Sequence, residues 1–444
     1  MKDEVCILSA TGMLGSGFKE ETFFHALSMK PDVIGCDAGS SDPGPYYLGA
    51  GIPRTSKRAA KRDLRLLIKG GIENHIPVLL GSAGTSGGDP HVDWTMELVR
   101  EIALEEHLHF KVAEIKTEIN NEQLADYIRR GRFHPLEGAP EFRSEDVNRL
   151  SRCVGVIGAE PFIKALDEGA QVVIAGRSSD TSIYAALPIR EGLGGGGAWH
   201  AAKILECGAA CAEHRPYPDC MMAWVRRDSI SIEPPNPVMA CTPVSCVAHS
   251  LYENSNPFVM AEPSGSLDVT NAVYQAETSR RVRITGSVFR PASQYTIKLE
   301  AVEQIGYRTA VIGGIHDPLI LKQLDHFLRS CYEKNLAKAE SSLGLKPDQY
   351  KLRYIVYGQP EAGPVGVLWE VIGKTKDDAI AIINCVWHNI LHVSIKEWSG
   401  HQSQFAFPFS PPAMEAGEAY RFALNHVLDV DDPLELCRIR YELL

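Results

Sequence analysis

The sequence predicts an α/β protein with an N-terminal doubly wound, mostly parallel sheet and a second, α+β domain. Apolar runs of strand length alternate with amphipathic helical patterns in the first half of the chain, and polar, glycine-rich turns follow these runs. This alternation is typical of βαβ units with a buried parallel sheet. After residue 217 the chain changes to proline-punctuated, β-branched segments. We therefore predict three regions: a Rossmann-like α/β domain at 1–215, an α+β domain at 216–403, and a C-terminal Pro/Phe-rich segment with a helix at 404–444.

The elements of the first region follow from periodicity. Apolar runs predict strands at Val5–Ala10, Asp32–Cys36, Pro77–Leu80, Phe110–Ile115, Val154–Ile157 and Gln171–Ala175. Helical spacing predicts helices at Glu20–Ser28, Ser56–Asn74, Asp93–Glu106, Asn121–Arg130, Pro161–Glu168, Asp180–Arg190 and Ala198–Glu213. Residues with a preference for the N-cap, such as Ser56 and Asn120, lie at the start of two of these helices and support their starting points.

The second region reads as a mixed or antiparallel sheet with two long helices. Strands are predicted at Met222–Ile232, Arg281–Thr285, Tyr295–Glu300, Thr309–Ile312 and Leu352–Tyr357. Helices are predicted at Pro318–Ala339, at Thr375–Ile395 and, in the tail, at Ala413–Leu428.

Composition and charge exclude several classes of protein. The chain has 444 residues, of which 44% are hydrophobic and 23% charged, and a net charge of -11. This acidic balance argues against nucleic acid or an anionic membrane surface as a partner, and no apolar run reaches the ~20 residues that span a bilayer. Eleven scattered cysteines are typical of reduced, buried thiols. We read Cys207 and Cys211, four apart, as helix packing, and expect a cytoplasmic enzyme.

The first two predicted strands end in polar turns. In a doubly wound sheet, ligands bind beyond the carboxyl ends of the strands. Gly12, Gly15 and Gly17 have the spacing G-x-x-G-x-G, which differs from the dinucleotide pattern and favours a general anion-binding turn. Asp37, with Ser40 and Asp42 on the next turn, suits acid–base chemistry or a divalent cation. An ordinary Asx-type turn explains the same residues equally well.

The densest polar turn follows the third strand, at 81–93. Its glycines and hydroxyls are suited to binding a phosphate or carboxylate, and they include Ser82, Gly84, Thr85 and Ser86. Asp89 and His91 add titratable side chains that are also hard metal ligands. Asp89 is equally suited to forming the turn itself.

A fourth polar turn joins a strand to a helix at 177–182, and further candidates lie later in the chain. Arg177 offers a fork for a carboxylate or phosphate beside Ser178 and Ser179, and Asp180 is either a catalytic acid or a plain N-cap. His200, after a glycine run, is a base or a structural histidine. Glu262 and Ser264 are expected to contribute from the second domain.

Several segments resemble the acyclic terpene utilisation family typified by AtuA. They are Gly81–Asp89, VIAGRSSD at Val173–Asp180, Trp199–Glu213, FVMAEPSGSLDVT at Phe258–Thr270, Phe407–Ser410 and Tyr420–Leu434. The resemblance implies organic-acid or acyl-CoA chemistry, linked in the family to branched acyclic terpenoids, and carries over no catalytic residue. Some members carry a small extra C-terminal domain, so a separate small subunit is expected to supply that part here.

We expect a hydro-lyase or hydratase acting on a carboxylic acid or its CoA thioester. Such a reaction needs a base, an acid for the leaving group and an electrophile. Asp37, Asp89, His91 and Asp180 are the predicted catalytic residues, and the first three are the predicted ligands if a divalent metal ion is the electrophile. The other residues named at these turns would bind substrate. The alternatives are a thioester or amide hydrolase using Ser82 or Ser178 near His91, and a non-catalytic subunit that binds an acyl ligand and a small partner protein. A homo- or hetero-oligomer is expected in each case.

Overall fold

The computed structural model describes residues 2–395 and 405–444, and it divides into two compact units. Among the described residues, the first unit comprises 2–302 and 422–444, and the second comprises 303–395 and 405–421. These units differ from the predicted division at 215/216, because strands that follow residue 220 pair with the N-terminal sheet. The predicted boundary at 403/404 lies outside the described residues.

The first unit contains most of the elements. In chain order they are β1 (Glu4–Ser9), α1 (Glu20–Ser28), β2 (Val33–Asp37), α2 (Tyr46–Ala50), α3 (Lys57–Glu73), β3 (Val78–Gly81), α4 (Asp89–Glu106), β4 (Lys111–Lys116), α5 (Asn121–Arg129), β5 (Phe133–Pro135), β6 (Leu150–Val156), α6 (Glu160–Asp167), β7 (Val172–Ala175), α7 (Ser182–Arg190), α8 (Gly196–Leu205), β8 (Met221–Arg226), β9 (Ile230–Glu233), α9 (Pro243–Leu251), β10 (Val259–Glu262), β11 (Gly265–Asp268), β12 (Val273–Ala276), β13 (Val282–Thr285) and β14 (Val288–Pro291). Short 3₁₀ helices lie at Ser144–Arg149 and Gly208–Cys211.

The remaining elements begin with β15 (Thr296–Ile315), whose residues up to 302 belong to the first unit and the rest to the second. The second unit continues with α10 (Pro318–Leu321), α11 (Leu324–Leu343), a 3₁₀ turn at Pro360–Ala362, and the elements β16 (Tyr350–Tyr357), β17 (Val365–Gly373), α12 (Lys376–Ile390) and β18 (Ala413–Phe422). The chain then returns to the first unit with β19 (His426–Asp429) and β20 (Arg438–Leu443).

The main sheet of the first unit confirms the α/β class. Its order among the described residues is β12-β13-β9-β8-β1-β2-β3-β7-β4-β20. The strands β1, β2, β3, β7 and β4 are parallel to their neighbours within this group, as expected for the strands of residues 1–215. Antiparallel strands extend the sheet on both sides, beginning with β8 next to β1 and β20 next to β4.

Helices cover both faces of this sheet, so it is doubly wound. In β1, Val5 and Ile7 pack on the face covered by α6, α7 and α8, whereas Cys6 and Leu8 pack on the face covered by α1, α3 and α4. The period of two along a strand sends successive side chains to opposite faces. Burial on both faces explains why the strands of the sequence are continuously apolar.

Three local predictions need correction. The strand predicted at Val154–Ile157 is part of β6, which pairs with β15 and lies outside the parallel sheet. The segment Met222–Ile232 is a hairpin of β8 and β9, because the polar residues between them turn the chain. The helix predicted at Ala413–Leu428 is wrong: this segment forms β18 and β19, and both pair with β15. Gly417 has a φ of +78°, which a helix interior does not allow, and hydrogen bonding to β15 outweighs helix propensity.

The second unit is an antiparallel sheet with two long helices, as expected for an α+β region. Within it, β17 pairs with both β16 and the later part of β15. Its core includes Trp369 from the sheet, Phe327 from α11 and Ile383 from α12. Nowhere in the described chain is there a helix with the length and apolar character needed to cross a bilayer.

Candidate functional site

The polar turns predicted from the sequence meet at one edge of the main sheet. Asp37 at the end of β2 is in register with Gly81 at the end of β3, and Leu80 is in register with Ile174 of β7. Because these strands are parallel, the turns that follow them lie at the same edge. The backbone N–H of Ala38 donates to the carbonyl of Gly81 at 3.0 Å, which ties the second turn to the third.

A cavity of about 460 Å³ opens beside these turns, wholly within the first unit. Its lining is strongly charged, with six carboxyl groups and three cationic groups among the described residues, namely Asp42, Asp180, Glu206, Glu253, Glu262, Glu300, Arg177, Lys203 and Lys298. Ser40, Ser179 and Thr181 add hydroxyls. This size suits a small organic ligand.

Arg177 organises the turn after β7 rather than presenting a free fork to the cavity. Its Nε and Nη2 donate to the carboxylate of Glu300 at 3.0 and 3.2 Å, and its Nη1 donates to Asp180 and to Ser82 Oγ, both at 2.9 Å. Burial acts to lower the pKa of Arg177, but Glu300 and Asp180 outweigh it and hold the pKa above its usual value. A bidentate buried pair of this kind positions its neighbours firmly.

Glu262, at the end of β10, is a buried carboxyl with a displaced pKa. It is 7% exposed, and its two oxygens accept hydrogen bonds from Ser179 at 2.7 Å and Thr181 at 2.6 Å. Burial raises the pKa of Glu262 to about 7, although the two hydroxyls act to lower it. The group therefore titrates in the range where general acids and bases work best.

Glu206, directly after α8, is the second such group. Burial raises its pKa to about 8, and its salt bridge with Lys203 opposes that shift only in part. Lys203 is itself 4% exposed and lies 4.8 Å from the centre of the Tyr252 ring. Two carboxyls with pKa values raised to about 7 and about 8 thus face one cavity beside a buried ammonium group.

Asp37 lies near this cavity but is not part of its lining. Its Oδ2 accepts from the Gly39 N–H at 3.1 Å, and its Oδ1 has no hydrogen-bond partner among the described residues. Burial, followed by the negative charge of Asp180, raises the pKa of Asp37 well above its usual range.

The structure places Asp89 and His91 away from the cavity lining. Asp89 begins α4, and its carboxylate forms a salt bridge with Arg438 at 2.6 Å. His91 is fully buried, and its Nε2 lies 3.0 Å from the carbonyl oxygen of Ile52. Burial lowers the pKa of His91. The sequence predicted a catalytic role for both residues, but the contacts that they make in the structure are structural.

The remaining predicted residues line the cavity, are buried in the turns, or lie elsewhere in the first unit. Ser40 and Ser179 line the cavity with Arg177, Asp180 and Glu262. Ser82, Thr85, Ser86 and Ser178 are buried in the turns, and a Cβ added at Gly84 would lie 2.7 Å from His91 Cβ. Gly12 lines a separate cavity of about 480 Å³, and Ser264 lies in the turn between β10 and β11.

The geometry of the described residues does not match the predicted metal-ligand set or the predicted Ser–His pair. The ligand atoms of Asp37, Asp89 and His91 do not gather into a group able to share one ion, since the only such group among the described residues consists of three cysteines. Ser82 Oγ accepts a hydrogen bond from Arg177, and Ser178 Oγ has no hydrogen-bond partner among the described residues, so neither forms a pair with His91. His200 is a structural histidine that contacts Ser250 and Ser287, and burial lowers its pKa to about 3.

The sequence predictions missed five charged residues of the cavity, namely Glu253 and two pairs in apolar segments. Lys203 and Glu206 interrupt the apolar pattern of α8 and its end, and Lys298 and Glu300 do the same in β15. Charges inside otherwise apolar elements were the signal that could have found them, because such groups are seldom buried without a partner.

Comparison with known proteins supports the family to which the sequence segments pointed. Residues 77–214 match the family of the acyclic terpene utilisation family protein AtuA. The match covers β3, the turn after β7, and α8 with Lys203 and Glu206. Comparisons with curated proteins and with solved structures yield no match. Over residues 77–214, the chain is therefore similar to the AtuA family.

Proposed function

We propose that the cavity is the active site of a carbon–oxygen lyase, a hydro-lyase or hydratase that acts on a small carboxylic acid or its CoA thioester. The observation that carries this proposal is the pair of buried carboxyls, Glu262 and Glu206, whose pKa values of about 7 and about 8 bound the pH interval just above neutral. One is ionised and the other protonated in that interval. A base and an acid in one cavity are what dehydration of a hydroxy acid requires.

Glu262 is the better base of the two. Its pKa is the lower, and both of its oxygens accept hydrogen bonds that stabilise the carboxylate. In dehydration, Glu262 takes the proton from the carbon next to the carbonyl, and the electron pair of that C–H bond forms the new carbon–carbon double bond.

Glu206 is the acid. As the C–O bond breaks, its proton passes to the departing hydroxyl, which leaves as water. The proton on Glu262 and the vacancy on Glu206 are then exchanged with solvent. In the hydration direction the same two groups act in reverse.

Cationic groups stabilise the negative charge of the substrate. Lys203 is buried beside Glu206, and Lys298 lies exposed on the same cavity. Protonation of Glu206 leaves the Lys203 charge available to an enolate or carboxylate oxygen. We therefore assign to the two lysines the carboxylate-binding role that the sequence predicted for Arg177. The N–H groups of Arg177 already donate to Glu300, Asp180 and Ser82.

Exchange of substrate hydrogen with D₂O tests the proton-transfer step even when the product has not been identified. The purified chain is incubated with a panel of hydroxy and unsaturated carboxylic acids and their CoA thioesters, and deuterium at carbon is measured by NMR together with water addition or loss. We expect exchange or turnover with at least one class. Glu262→Gln and Glu206→Gln should each reduce it at least about 100-fold, in line with a general acid or base contribution.

Glu137→Gln is the matched control, because Glu137 is an exposed carboxyl outside the cavity. Full activity in either cavity variant would overturn the assignment of roles. The assay is repeated with any small chain that co-purifies, because a separate small subunit is expected. If activity appears only when that chain is added, the reaction takes place in a complex. Absence of exchange with every acid and thioester, with and without that chain, would reject the lyase in favour of a binding subunit.

A further inference from the structure

Three cysteines from separate segments converge in the core of the first unit. Cys211 ends the 3₁₀ helix after α8, Cys241 precedes α9, and Cys246 lies within α9. Their sulfur atoms all lie within 4.8 Å of one another, and Cys211 Sγ is 3.8 Å from Cys241 Sγ. The three side chains are at most 2% exposed.

We propose that these three cysteines bind a thiophilic metal ion, Zn²⁺ or Cu⁺, as thiolates. A Zn–S bond is about 2.3 Å long, so sulfurs that share an ion in tetrahedral or trigonal geometry lie about 3.8–4.0 Å apart. The 3.8 Å between Cys211 and Cys241 meets that spacing. Soft sulfur ligands without oxygen select these ions over Mg²⁺ or Ca²⁺.

A fourth sulfur lies next to the group. The Sδ of Met221, on β8, is 3.9 Å from Cys241 Sγ and is fully buried. Three thiolates alone suffice for trigonal Cu⁺, and a thioether beside them offers Zn²⁺ a fourth ligand. Because the three cysteines are buried, the ion would be structural, since catalytic sites keep an open position.

The backbone holds the cysteines in place before any ion binds. An antiparallel bridge joins Glu213 to Ala240, next to Cys211 and Cys241. A capping box at Thr242 begins α9, and the N–H of Cys246 donates to the Thr242 carbonyl at 3.0 Å. Such preorganisation lowers the cost of gathering ligands.

Binding of the ion would also bear on the cavity. Zn²⁺ binding replaces three S–H protons with three Zn–S bonds and releases the protons to solvent. The ion would then link the segment that directly follows Glu206 to α9. A packing role for three neutral thiols is the competing explanation, and it predicts no stoichiometric metal.

Metal content of the untagged chain tests the proposal. Protein purified under reducing conditions is analysed for bound metals by mass spectrometry. Because the site is buried, protein refolded anaerobically with Zn²⁺, Co²⁺ or Cu⁺ is analysed in the same way. We expect about one ion per chain, a thiolate-to-Co²⁺ charge-transfer absorption band in the Co²⁺ form, and a Tm that rises when the ion binds. The ratio of Zn²⁺ to Cu⁺ retained in competition identifies the ion.

Cys246→Ser and Cys241→Ser should lose the bound ion, whereas the control Cys153→Ser should retain it, because Cys153 is equally buried but outside the group. If the two variants do not fold, X-ray absorption of the loaded wild-type chain decides instead. A first shell of three or four sulfurs supports the site. A shell of nitrogen and oxygen only, equal binding by Cys246→Ser, or no stoichiometric ion under any condition would overturn it.

Discussion

At the scale of single residues, the surroundings of the cavity carboxyls shift their pKa values in different directions. Glu300 has a buried cation within hydrogen-bonding distance, and although burial acts to raise its pKa, Arg177 holds the pKa below its usual value. Glu262 has only hydroxyls, and burial raises its pKa to about 7. The same residue type is thus a permanent anion in one position and a proton-exchanging group in the other.

The displaced pKa of Glu262 predicts how stability depends on pH. The folded-state pKa of about 7 lies above the unfolded value of 4.5, so the folded chain binds more protons between these limits. The free energy of unfolding should therefore fall as the pH rises from about 4.5 to about 7, by up to about 3 kcal/mol from this group at about 1.4 kcal/mol per pKa unit. Urea denaturation should show that Glu262→Gln lacks this part of the slope, whereas Glu137→Gln keeps it. Parallel profiles for wild type and Glu262→Gln would contradict the displaced pKa.

The proton transfers predict a second pH dependence, in activity. Glu262 must be ionised and Glu206 protonated in the dehydration direction, so kcat/KM should rise with pH through about 7 and fall through about 8. A profile of kcat/KM against pH, measured with a substrate identified by deuterium exchange, checks both limbs. A flat profile across this range would remove both glutamates from the chemistry.

At the scale of elements, the turn after β3 and the turn after β7 are held at close range. Gly87 has a φ of +65°, and a Cβ added there would lie 2.1 Å from the backbone nitrogen of Arg177. The N–H of Arg177 donates to the carbonyl of Gly87 at 3.1 Å. Only a residue without a side chain allows this approach, which is the physical reason for a glycine at this position.

The matched pair Gly87→Ala and Gly131→Ala tests that close approach. Both glycines have positive φ, +65° and +71°, so both variants carry the backbone strain, but nothing lies within 4 Å of a Cβ added at Gly131. We expect Gly87→Ala to lower the free energy of unfolding by about 1–3 kcal/mol more than Gly131→Ala, the usual cost of overpacking. Equal losses in urea denaturation would show that the two turns have room to separate.

At the scale of the whole molecule, binding at the cavity should appear as stabilisation. A ligand at about 100 times its Kd raises the free energy of unfolding by about 2.7 kcal/mol. Thermal unfolding should show this with a carboxylate or acyl-CoA ligand. Lys298→Met should reduce the effect, because Lys298 is the exposed cation of the cavity, whereas Lys334→Met, an exposed lysine of α11, should not. Stabilisation unchanged in Lys298→Met would place the ligand elsewhere.

The sequence by itself determined the α/β class and most of the elements, because continuously apolar strands and amphipathic helices are local patterns that burial on two faces of a sheet imposes. It also predicted that the polar turns after β2, β3 and β7 lie at one edge of the sheet, since parallel strands end together. The turn residues Ser40, Arg177, Ser179 and Asp180, and Glu262 from β10, accordingly line the cavity.

Only the tertiary structure decided which charges face the cavity and which groups have other partners. Asp89 pairs with Arg438, far along the chain, and Arg177 pairs with Glu300 of β15, so neither could be assigned from local sequence. The pKa values of Glu206 and Glu262 depend on burial by segments distant in sequence. The tail forms strands rather than a helix for the same reason: its hydrogen-bond partner, β15, ends at Ile315, about a hundred residues before β18 begins, and long-range pairing outweighed local propensity.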